Sequence, residues 1–250
     1  MNAWENLRGE LDCWANDGRI ATLWWRDDDA VDITPALSDL TAVSADAGVP
    51  IMLAVIPALL TPEFKAHTFP PGVRLAQHGY THNNFARAGV KKSEFGPERE
   101  RSDMMAEIAK GFRDVMELDN AISAFVPPWN RMDMTLLPSM QQIGITAIST
   151  FRPRKHTELA PGLRQVNTHA DVVDWHGSRG FMGEQPVLAQ ITGHLSARRT
   201  GAVDCTEPTG LLTHHLVHDI ACWRFLATFT RQIMAHPAAI WLPINMAMAA

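Results

Sequence analysis

The chain has 250 residues, with 22 Lys and Arg against 27 Asp and Glu, a formal net charge of −5, 46% apolar residues and 20% charged residues. This is enough apolar mass to bury a large core, which excludes a disordered segment, and the acidic balance excludes a binder of nucleic-acid phosphates. The longest apolar stretch, near Pro50 to Leu60, is broken by Pro57 and is too short to cross a bilayer.

In chain order, Trp4, Leu7, Leu11 and Trp14 are spaced as one face of a helix over 3–16. Residues 20–26 (IATLWWR), rich in β-branched and aromatic side chains, predict a buried strand that stops at Asp27-Asp28-Asp29. Thr34-Pro35 reads as the cap and first turn of a helix reaching Ala47, with Gly48 as its stop. Residues 50–56 and 73–77 are predicted strands, the second ending at His78. A helix over about 97–118 has Met105, Ile108, Phe112 and Val115 on one face. A strand at 123–126 precedes Pro127-Pro128-Trp129. Residues 133–143 read as a helix, 145–149 as a strand, and 163–168 and 170–173 as weaker strands. A helix over 185–198, a strand over 210–213 ending in His214-His215, and a helix over 219–235 capped by Asp219 follow. AIWLPI (239–244) reads as the last strand and Met246 and Met248 as a frayed end.

Repeated strand-helix order predicts a parallel sheet covered by helices, in a single domain over 1–250. In such folds the ligand site lies at the carboxyl ends of the strands. Asp27–Asp29, His78–His82 and His214–His215 each follow a predicted strand, so they are expected to converge on one rim. His78 and His82, four apart, can share one face of a helical turn and grip a metal ion. In a chain with 11 His the spacing alone is a weak signal. Three consecutive carboxylates repel one another, a cation would relieve that repulsion, and one carboxylate could then act as a base. A solvated loop with a helix cap is the plainer alternative. Plain readings also suit the stretch Lys91–Arg101, as a solvated loop or a lid, and His169 and Asp171, as exposed loop residues in preference to groups that position His214. Most of the eight Trp read as packing residues. Cys13, Cys205 and Cys222 form no CxxC pair, and residues 1–19 lack a basic region followed by an apolar run. The expectation is a cytoplasmic protein with reduced thiols and neither nucleic-acid nor membrane partners.

Taken in order, Asp28-Asp29, His78/His82, Pro127-Pro128-Trp129, Asp174-Trp175 and Leu211-Leu212-Thr213-His214 resemble the motifs of the polysaccharide deacetylase family (the NodB-homology or carbohydrate esterase family 4 group), over roughly residues 20–220. The resemblance implies an α/β fold, a distorted (β/α)7 TIM-like barrel. It implies a metal-dependent hydrolase that removes an acetyl group from an N-acetylated sugar or polysaccharide. By position, Asp28 would be the general base and His214 the general acid. Asp29, His78 and His82 would hold a divalent ion, most readily Zn²⁺, with Co, Ni or Fe also suited to these donors. Pro128, Trp129 and Trp175 would line the sugar groove. A register one residue earlier, with Asp27 as base and Asp28 as ligand, stays open, as does His215 in place of His214. The family's third motif usually begins with an Arg that holds the catalytic aspartate. Val126 stands there, and Arg26 or Arg131 could supply the missing charge. Competing readings are hydrolysis of a non-sugar amide, and carbohydrate binding without catalysis, which the missing Arg favours. The oligomeric state is open.

Overall fold

A computed structural model describes residues 2–250. The elements run α1 (Ala3–Asn16), β1 (Ala21–Ala30), α2 (Pro35–Ala47), β2 (Ile51–Val55), α3 (Pro62–Ala66), β3 (Val73–His78), α4 (Arg101–Met116), β4 (Ala121–Val126), α5 (Leu137–Gln142) and β5 (Ala147–Ile148). Three short strands follow, β6 (Glu158–Ala160), β7 (Leu163–Gln165) and β8 (Ala170–Asp171). The chain then forms α6 (Glu184–Thr200), β9 (Thr209–Thr213), α7 (Ile220–Met234), β10 (Ala239–Trp241) and α8 (Ile244–Met248). The capping signals act where the sequence puts them. Thr34 accepts from the Leu37 N–H, Gly48 stops α2 at φ 65°, and Asp219 accepts from the Cys222 N–H.

The sheet order is β6-β7-β5-β4-β3-β2-β1-β9-β8, with β10 paired to the start of β1 and only the β6–β7 pair antiparallel. One segment joins the two ends. β7 pairs with β5, and the Val166 and Thr168 N–H groups continue to Ile148 O and Thr150 O, both at 3.0 Å. The His169 N–H then donates to Gly210 O at 2.7 Å, and β8 pairs with β9. The result is a closed, distorted (β/α)7 barrel in which the two weakly predicted strands over 163–173 are one run that changes partner midway. At that crossing only glycine fits position 210, because a Cβ there would lie 2.5 Å from Trp24 Nε1 and 2.6 Å from Asn167 O.

The period of two along each strand sorts the core into layers. Leu23, Trp25, Ile51, Leu53 and Leu75 face the helices, packing against Leu7 and Leu11 of α1, Leu37 of α2, Ile191 of α6 and Phe225 and Phe229 of α7. Trp24, Met52, Ala54, Ala76, Ala124, Val126 and Ala147 face inward. Four of those seven are alanines, which leaves room for the Trp24 indole. Ile244, Ala247 and Met248 of α8 belong to the same interior cluster and plug the barrel.

Several boundaries differ from expectation. β1 does not stop at the aspartates but runs through them to Ala30. Residues 97–100 precede α4 instead of starting it, and the helix predicted over 133–143 opens as a 3₁₀ turn at Met134–Leu136. The closing strand ends at Trp241, and the tail is helical with Met248 buried, because the barrel interior needs an apolar plug. Among the described residues no helix is long and apolar enough to cross a membrane.

Candidate active site

The three aspartates sit on β1, and its geometry separates them. Asp27 shares the helix-facing side with Trp25. It is fully buried and accepts from Thr213 Oγ1 at 2.6 Å, from the His215 N–H at 3.0 Å and from His215 Nδ1. Burial pushes its carboxyl up, but the His215 charge and hydrogen bond outweigh this and hold it below the usual range. Asp28, two residues after Arg26, points inward as Arg26 does. Arg26 Nε lies 2.9 Å from Asp28 Oδ1, and Nη2 donates to Oδ2 at 3.0 Å. The same guanidinium reaches Asn130 Oδ1 at 2.8 Å, Ser149 Oγ at 2.8 Å and Thr150 O at 3.2 Å. Asp29 leaves the alternation. The register of β1 against β2 shifts between Asp27 and Ala30, and Asp29 adopts φ 73°, which turns its carboxylate to the rim.

At that rim His78 Nε2 lies 3.2 Å and His82 Nε2 3.4 Å from Asp29 Oδ1. The two histidines do not share a helical turn. His78 ends β3, and His82 follows in a loop at φ 59°. Glu94 holds that loop, accepting from the Tyr80, Thr81 and His82 N–H groups and from Thr81 Oγ1. It is fully buried, so the 93–96 part of the stretch read as solvated is interior. Gly79 is required beneath it: φ is 58°, and a Cβ would strike Glu94 and Pro128. Pro128 is itself buried and packs against this turn.

Trp129 and Asn130 are two successive residues in the left-handed region, φ 54° and 57°. With Asp29 and His82 they bring four such residues to one site, a concentration of backbone strain that packing must hold. The turn sets the Trp129 ring 4.5 Å from the His82 ring and delivers Asn130 to Arg26. Across the barrel His214 Nε2 lies 4.0 Å from Asp28 Oδ2, and the exposed Trp175 ring meets His214 edge-on at 4.7 Å. Trp175 Nε1 donates to Asp171 Oδ2 at 2.9 Å. Asp171 is no free loop residue. Burial pushes its carboxyl up against the pull of His214. Asp174 turns away and accepts from the N–H groups of its own loop at Gly177 and Ser178. His215 is buried behind, on Asp27.

No protein-family model and no curated protein matches the chain. Solved structures do. A Streptococcus mutans CE4 esterase aligns over 97% of this chain and 91% of its own, with TM-score 0.57 and 13% identity. A Streptomyces lividans family 4 carbohydrate esterase, solved with acetate, covers 88% and 91% at TM-score 0.53 and 14% identity. A Clostridium thermocellum family 4 acetyl xylan esterase, solved with a cobalt ion, covers 91% and 90% at TM-score 0.55 and 11% identity. The fold is that of the family 4 carbohydrate esterases.

Among the described residues of this family 4 fold, two groups of three donors lie close enough to share an ion: Asp29, His78 and His82, and the wholly buried His169, His194 and Glu207. Tautomers distinguish them. His78 Nδ1 faces Val126 O at 3.0 Å, a group that only accepts, so a proton sits on Nδ1, and in the neutral ring that a metal ion requires Nε2 is the nitrogen left to face Asp29. Asp29 Oδ1 is buried without a hydrogen-bond partner, and the His78 and His82 rings fan apart at 52°. This first set fits a divalent ion. In the second, His169 Nδ1 accepts the Gly210 N–H at 2.9 Å, so its proton sits on Nε2, facing Glu207 Oε2 at 3.3 Å. The His169 and His194 rings stack at 3.4 Å and 12°, which aims their nitrogens in parallel and not at a common point. That cluster is a buried polar brace for the start of β9, and His169, like Asp171, is not an exposed loop residue.

The brace has a pH consequence. Burial, with the charges of His169 and Arg198, pushes His194 down to about 2. The folded protein therefore leaves His194 neutral where the unfolded chain, with an ordinary His pKa near ~6.5, takes up a proton, so stability falls as pH drops below that value. Between pH 6.5 and 5.5 wild type is expected to lose about 1 kcal/mol more than His194→Gln. Urea unfolding of both proteins at the two pH values measures this, and equal losses would contradict it.

Proposed function

We propose that the chain is a metal-dependent deacetylase that releases acetate from an N-acetylated sugar or oligosaccharide. One observation carries the reading. His78 Nε2, His82 Nε2 and Asp29 Oδ1 meet beside a carboxylate, Asp28, that an arginine holds and a third histidine, His214, faces. Asp29, His78 and His82 would hold a divalent ion, with the donor set of catalytic zinc sites. Bound there, such an ion supplies Lewis acidity to the acyl carbonyl and acidity to the attacking water. Asp28 accepts the proton of that water, and Arg26 fixes the direction of its lone pairs. His214 delivers a proton to the amine as the C–N bond breaks, its ring packed by Trp175, which Asp171 holds. Trp129 and Trp175 flank the sugar on either side of the reacting centre.

Arg26 bears on the competing readings. An absent arginine at Val126 favours binding without catalysis, but Arg26 and Val126 face the same barrel interior, and Arg26 makes the forked contact to Asp28 from the other side. Arg131, the other candidate, donates to Lys92 O instead. The test joins metal analysis to product analysis. Protein purified without chelator is expected to hold about one zinc or similar ion per chain. The ion should be lost in His78→Ala/His82→Ala, and the metal-replete protein should release acetate from chitin oligosaccharides. A chain that takes up no metal, or that with metal releases no acetate from a broad panel of N-acetylated glycans, would sink the proposal.

A further inference from the structure

We propose that the substrate is an acidic oligosaccharide, held by a sugar carboxylate against Lys92 and Arg131 at the edge of the site; this rests on the deacetylase reading above. Trp129 is fixed against His82 by the left-handed turn that also ties Asn130 to Arg26. Lys92 Nζ lies over the Trp129 ring, 5.7 Å from its centroid. Arg131 Nη1 donates to Lys92 O at 3.3 Å, which ties the Arg131 guanidinium to the backbone that carries Lys92. Both are exposed, and among the described residues neither makes an ion pair.

The carboxylate nearest Lys92 in sequence, Glu94, is turned inward onto the His-loop N–H groups, and the one nearest Arg131, Asp133, accepts from the Thr135 N–H. A pair of unpaired cations beside the reacting centre stands out in a chain of net charge −5. The guanidinium offers a planar donor fork, the ammonium a point charge, and Trp129 an apolar face for a sugar ring. Together they suit a uronate-type carboxylate on the unit next to the acylated one. A neutral sugar would leave both cations with water alone.

The test uses two ligands that differ only in charge, chitotetraose and the same oligomer oxidised at C6 to carboxylates. Affinity is measured by calorimetry on the zinc-loaded Asp28→Asn protein, and acetate release on wild type. The oxidised oligomer is expected to bind at least about tenfold tighter, a gap that shrinks with added salt and closes in Lys92→Glu/Arg131→Glu. Equal affinities, or a preference that survives the charge reversal, would overturn the acidic-substrate inference while acetate release from chitotetraose kept the deacetylase reading. If neither oligomer is bound or hydrolysed, both fall together.

Discussion

Asp28→Asn is expected to lower kcat/KM for acetate release by about 10³-fold with metal content close to wild type, and to lower thermal stability because the buried Arg26 loses its counter-charge. The substitution is nearly isosteric. Its amide oxygen can still accept from Arg26 Nη2, and Asp29, His78 and His82 are untouched, so the ion-binding set remains. What is lost is a carboxylate able to take a proton from water at the moment of attack. Asn at position 27 provides the control. Asp27 is buried on His215 and Thr213, on the opposite side of β1, so Asp27→Asn should act on stability rather than on the chemical step. Elemental analysis, thermal unfolding and acetate release on the same preparations separate these effects. Loss of activity with Asp27→Asn and full activity with Asp28→Asn would move the base one residue earlier and restore the other register.

Arg26→Met is expected to be the most destabilising single change at the site, by about 3–5 kcal/mol. Arg26 is fully buried, and its guanidinium is shared among Asp28, Asn130, Ser149 and Thr150. Methionine fills much of the volume but leaves the buried Asp28 carboxylate without its counter-charge and the other acceptors without donors. In a domain of this size the loss corresponds to a midpoint lower by about 10 °C. Arg26→Lys keeps the charge but not the fork, so it should recover part of the stability and little of the activity. Thermal unfolding by circular dichroism with metal present reads this directly, and an unchanged midpoint in Arg26→Met would show that the interior tolerates an unpaired Asp28.

Much of the fold is legible in the linear pattern because its causes are local. The caps Thr34 and Asp219 and the stop at Gly48 satisfy backbone groups within one turn. Short apolar runs alternating with amphipathic helices leave few arrangements besides a parallel barrel. That arrangement brings Asp29, His78 and His214 to one rim without any contact being known. The strand through the aspartates was not legible. Buried consecutive carboxylates are costly unless partnered, and the partners, Thr213 and His215 for Asp27 and Asn130 for the Arg26–Asp28 pair, lie far along the chain. Once β1 is known to continue, the pairing of Arg26 with Asp28 follows from two residues sharing one face. Glu94 carries no such signal, since nothing in a charged stretch distinguishes a carboxylate that folds inward.

The sequence by itself determined which residue types stand at the ends of which strands, and hence the class of barrel and the chemistry available at its rim. Tertiary structure decided the rest. The bulge at Asp29 separates three adjacent aspartates into a paired brace, an arginine-held carboxylate and an oxygen turned to His78 and His82. The carbonyl of Val126 makes His78 a donor set member, whereas the N–H of Gly210 denies that role to His169. Both distinctions depend on where a neighbouring strand places one backbone group, and no local pattern in a chain encodes that position.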